Sequence, residues 1–177
     1  MLKQHIKIFI RTACVLALLG IRPAYAIDYI QGLVPGVQKV GEARMTYLLW
    51  DLYDVVLYAP KGVWNKNQPF ALQLSYLRSF HGKKIADHSI EEIRNQGFTD
   101  EIKLATWHAQ MRKIFPDVDE GVHLTGVRTQ KGETVFYKNN LEIGRINNPE
   151  FSKVFFDIWL HEKTSAPNVR QRLLGTI

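Results

Sequence analysis

Cysteine is almost missing from this sequence: Cys14 is the only one in 177 residues. It lies in a stretch with the layout of a secretory leader. Lys3, Lys7 and Arg11 form a positive start, Ala13 to Ile21 is an apolar run, and Ala24-Tyr25-Ala26 is a small-x-small cleavage site. Cys14 does not stand at the end of the apolar run, which argues against lipidation. Cleavage after Ala26 leaves residues 27–177 without a thiol, bound for a compartment where disulfides would persist. Disulfide staples, thiolate metal sites and cysteine nucleophiles are thereby excluded for the exported chain.

A second long apolar run is also lacking. The leader's own run falls short of the about 20 residues that span a bilayer. The exported chain is expected to carry no integral membrane segment, and a bacterial periplasm is its expected destination. Net charge largely disappears too. Lys3, Lys7, Arg11 and Arg22 lie in the leader and no acid does, so removing it lowers the formal charge from +6 to +2. The basicity belongs to targeting, and nucleic-acid binding is not expected.

Familiar catalytic signatures are missing as well. There is no G-x-S-x-G elbow, P-loop or dinucleotide fingerprint. The histidines after the leader (His81, His88, His108, His123, His161) contain no pair at the helical spacing of a zinc site. No catalytic residue, metal ligand or cofactor is predicted.

What is present is one ordinary domain's worth of chain, residues 27–177, long enough to bury a core. Lys39 to Ala59 is rich in β-formers and too long for one strand, so a break near Trp50 to Asp54 would make two antiparallel strands. Tyr58 to Pro69 reads as a loop and Phe70 to Phe80 as a strand. Helices are expected from Lys84 to Gln96, ending at Gly97, and from Thr99 to before Pro116. Leu104, Trp107, His108, Met111 and Phe115 recur on the second at helical spacing. A meander follows over 122–129, 133–137 and 141–146. Asn148 is predicted to cap a third helix and Ser165 a fourth. Strands, helices, strands and helices in that order indicate an α+β fold.

Arg44 is the most suggestive charge. It stands among small, apolar and aromatic residues, where a guanidinium must be paired or solvated. One reading pairs it with Asp51 or Asp54 at the surface. Another makes it an anion hook at the end of an apolar pocket, with Tyr47, Tyr53 or Tyr58 adding hydroxyl donors. Trp50, Trp107, Phe151, Phe155 and Trp159 are read either as core or as the lining of a ligand cavity.

The run Val40-Gly41-Glu42-Ala43-Arg44, then Leu52 to Ala59, then Ser89-Ile90-Glu91-Glu92, Gln96-Gly97-Phe98, Phe156 to Leu160 and Thr164 to Gly175 resembles chalcone isomerase-like proteins over residues 38–175. The likeness is greatest to the exported bacterial branch. The resemblance implies an open-faced β-sandwich, a large antiparallel sheet covered on one face by helices. Plant members cyclise a chalcone with an arginine that holds the oxyanion; related plastid members bind fatty acids through an arginine and a tyrosine. Carried over, Arg44, Tyr53 and Tyr58 become the ligand-binding candidates. Lys84, His88 and Asn95 miss the lysine–asparagine spacing of the plant enzyme's helix, which tilts the reading away from catalysis.

Three functions remain open at this level. The favoured one is a periplasmic, non-catalytic binder of a small amphipathic carboxylate such as a fatty acid. The alternatives are a cofactor-free isomerase or lyase that stabilises an enolate with Arg44, and a structural or interaction protein of the cell envelope.

Overall fold

A computed structural model describes residues 27–176; residues 1–26, read as a leader with a cleavage site at Ala26, lie outside the described residues. The elements are β1 (Val37–Tyr47), β2 (Trp50–Pro60), β3 (Phe70–Tyr76), α1 (Gly82–Asn95), α2 (Glu101–Ile114), β4 (His123–Arg128), β5 (Thr134–Lys138), β6 (Leu141–Ile146), α3 (Pro149–Leu160) and α4 (Pro167–Leu173). The strands form one antiparallel sheet in sequence order. Consecutive strands are neighbours throughout, with α1 and α2 inserted between β3 and β4, and the two helical pairs pack on one side. This is the α+β architecture expected.

Alternation along the strands assigns the two faces. Val55, Leu57 and Ala59 of β2, with Leu72, Leu74 and Tyr76 of β3, join the helices in the main core. Ile90, Trp107, Phe151 and Phe155 come from the helical side. Gly41 is where α4 meets the sheet: a Cβ there would run into the backbone carbonyls of Arg172 and Leu173.

The opposite face is not left open. Residues before β1 form a short 3₁₀ helix, Asp28–Ile30, and lie across it. Ile30 and Val34 pack with Ala71, Val127, Val135 and Tyr137 in a second, smaller core. The Tyr29 hydroxyl meets that of Thr125 at 2.7 Å.

Several boundaries differ from expectation for physical reasons. The β1–β2 hairpin turns at Leu48-Leu49, ahead of the expected break, with Tyr47 paired to Trp50. Leu48 takes a φ of 54°, a conformation that usually selects Gly or Asn and that a leucine betrays by no sequence signal. β3 stops at Tyr76, and Phe80 makes only an isolated bridge to Val118. Ser165 does not cap α4; Ala166 occupies that position without a side-chain bond. The cap at Asn148 forms as expected, accepting from the backbone N–H of Phe151, and Asp100, expected in the first turn of α2, caps that helix by accepting from the N–H of Lys103. No helix among the described residues is long and apolar enough to cross a membrane.

Candidate functional site

Between the sheet and the helices lies a cleft of about 1350 Å³. Its walls follow from the same alternation. Leu72, Leu74 and Phe136 rise from the sheet, and Phe155, Phe156 and Trp159 descend from α3. α1 closes one side with Ile85, Ser89 and Glu92, three residues at helical spacing that share a face. The α3–α4 connection adds Ser165 and Ala166. A space this large, mostly apolar with a few polar groups, suits a ligand.

Of the five aromatics read as possible lining, Phe155 and Trp159 face the cleft. Trp107 and Phe151 are core, stacked edge to face at 5.6 Å between ring centroids. Trp50 stands at the hairpin tip beneath Arg78, whose guanidinium carbon is 4.3 Å from the ring. His108 leaves the apolar stripe of α2 to meet Asp87 at 2.7 Å.

Of the three residues expected to hold a ligand, Arg44 and Tyr53 line the cleft and Tyr58 does not. Tyr53 and Tyr58 are five positions apart on one strand, so their side chains leave opposite faces. Tyr53 belongs to the cleft, and Tyr58 packs with the small core on the far side. Arg44 stands on the edge strand, where it pairs in register with Asp54 and meets the cleft at its margin. Its Nε donates to Asp54 Oδ1 at 2.7 Å, Nη2 to Asp54 Oδ2 at 3.0 Å and Nη1 to Asp51 Oδ2 at 2.9 Å. The bonds to Asp54 and Asp51 raise the arginine's pKa still further. One cation facing two carboxylates leaves no net positive charge for an anionic ligand. Of the two readings of Arg44, the surface pair with Asp51 and Asp54 is the one present.

The polar groups deeper in the cleft are Tyr53, Tyr76 and Glu92. The Tyr53 oxygen accepts a hydrogen bond from Trp159 Nε1 at 3.1 Å. Burial pushes its phenol up to about 12, against the relief of that bond and with a further push from Glu92. Tyr76 lies edge-on to Tyr53 at 5.8 Å, and burial raises its phenol as well. Both stay neutral near pH 7. Glu92, 8% exposed, accepts from Ser165 Oγ at 2.6 Å. Glu92 and Tyr76 were not among the expected site residues. Glu92 lies three residues after Ser89, on the buried stripe of α1 that ends at Ile93, while its neighbour Glu91 is exposed. Among the described residues, no group of three or more His, Cys, Asp or Glu is placed to hold a metal ion.

A family model described as chalcone isomerase-like matches residues 41–175. No curated protein matches the chain in sequence. Among solved structures, the crystal structure of a fatty-acid binding protein from Arabidopsis thaliana superposes with a TM-score of 0.64 at 12% identity, covering 81% of this chain and 89% of that one. At that identity the likeness is one of fold.

Proposed function

The chain belongs to the chalcone isomerase-like family, and from that premise we propose that it is a non-catalytic binder, exported to the bacterial periplasm, of a small amphipathic molecule with an alkyl tail. The observation that carries this reading is the cleft of about 1350 Å³ between sheet and helices, walled by Leu72, Leu74, Phe136, Phe155 and Phe156. A space of that size is excess to what core packing needs, because well-packed interiors leave few voids larger than a water. The fold shared with a fatty-acid binding protein supports it. The enolate-stabilising alternative called on Arg44, which is committed to Asp54 and Asp51, and that reading is not carried further.

The test is native mass spectrometry of the protein expressed with its leader and recovered from the periplasm. The expected species begins at Ile27 and carries a copurified amphiphile, or takes one up when a twelve-carbon amphiphile is added. A protein that keeps its leader overturns the location. One that binds no alkyl-chain molecule overturns the binding role.

A further inference from the structure

We propose that the polar end of the cleft recognises a head group that donates hydrogen bonds, a hydroxyl or a protonated amine, and that Glu92 is the group that accepts them. The inference rests on the binder reading and names the ligand class for that same cleft.

Glu92 stands in the cleft wall with its side chain almost fully enclosed. An ionised carboxylate offers about four acceptor sites. Ser165 Oγ fills one, on Oε2. The other oxygen faces His88 Nε2 at 4.0 Å, beyond hydrogen-bond reach, and that histidine is largely exposed. Among the described residues no lysine or arginine pairs with Glu92. A buried carboxylate left with open acceptor sites is costly unless something supplies donors.

The neighbouring groups fit a donating head. Glu92 and Tyr53 both line the cleft. The Tyr53 oxygen accepts from Trp159, which leaves its own proton to donate. A hydroxyl head can give its proton to Glu92, and it can also accept one from Tyr53. A protonated amine adds charge pairing with Glu92. A carboxylate head beside Glu92 would meet like charge in a poorly solvated place, while the cations that line the cleft, Arg44, Lys84 and Arg94, are each already paired with other carboxylates. The head group is thus the reverse of the one that Arg44 suggested in the sequence.

The experiment is competitive native mass spectrometry of the purified protein with three twelve-carbon probes, 1-dodecanol, dodecylamine and dodecanoate, at neutral pH. The wild type is expected to take the alcohol and the amine about tenfold or more tighter than dodecanoate, the scale of a charge-assisted contact. Glu92→Gln is expected to weaken the amine by a similar factor and to strengthen dodecanoate. Tightest binding of dodecanoate by the wild type overturns the inference and leaves the binder reading standing. So does a Glu92→Gln protein whose ranking is unchanged. Binding of none of the three overturns the binder reading, and this inference falls with it. The wild-type ranking needs no variant, so a misfolded Glu92→Gln protein does not remove the test.

Discussion

Tyr53 ties the cleft to the core through one atom. Its oxygen is the partner of the Trp159 indole N–H, and Trp159 is 8% exposed. Tyr53→Phe keeps the ring and its packing on Tyr76 but strands that N–H. The expected cost is about 1–3 kcal/mol, the penalty for an unsatisfied buried donor, read as a lower urea midpoint at unchanged slope. No loss of stability would mean that Trp159 finds another acceptor. At this scale the sequence was legible in part. That Arg44 needed a partner followed from its neighbours, and both aspartates were identified. That Tyr53 and Tyr58 part company follows from their odd spacing once β2 is known to run unbroken from Trp50 to Pro60. Glu92 was not legible because an acid in a helix ordinarily faces solvent. Only packing against the α3–α4 connection encloses it.

α1 is started by a residue far away in the chain. Its first backbone N–H, at Gly82, donates to Asp117 Oδ1 at 2.8 Å, and His81 Nδ1 lies 3.2 Å from Oδ2. The Gly82 N–H and then His81 hold the Asp117 carboxyl below its usual range. An acid at a helix N-terminus also complements the helix dipole. A carboxylate with a depressed folded pKa contributes stability above its unfolded pKa and loses it as pH falls through the folded one. Asp117→Asn is therefore expected to melt below the wild type at neutral pH, and the gap should close on acidification past the carboxylate range. A gap constant with pH would show that the charge plays no part. A local cap such as Asn148 could be read from sequence because cap and helix are adjacent. The start of α1 could not, since its cap arrives from the segment after α2. The Leu48-Leu49 turn was equally hidden, because its exposed leucines, 79% and 94%, carry none of the glycine or asparagine signals that mark such turns.

Taken whole, the molecule is a sheet shared by two cores of unequal size. The helical side encloses the cleft. The far side is sealed by the segment that runs into β1. From sequence, Gly32 to Gly36 reads only as a Gly/Pro-bearing loop, and the two inward anchors, Ile30 and Val34, make no periodic pattern. Their role emerges only when β4 and β5 present Val127 and Val135 beneath them. The division predicts separable behaviour. Val34 is fully buried in the small core, and Val34→Asp sets an unpaired charge against Ala71, Val127 and Val135, a penalty of about 3 kcal/mol or more. Peeling the segment off the sheet relieves that penalty without disturbing Leu72, Leu74 or Phe155 on the other face. Val34→Asp is thus expected to be cut by protease before residue 37 and to bind an apolar dye on the bared face. Its uptake of a twelve-carbon ligand should match the wild type. Loss of ligand uptake together with loss of the segment would mean that the sheet transmits the disturbance. The cleft would then depend on both cores, because the strands that wall it need packing on both faces to hold their twist.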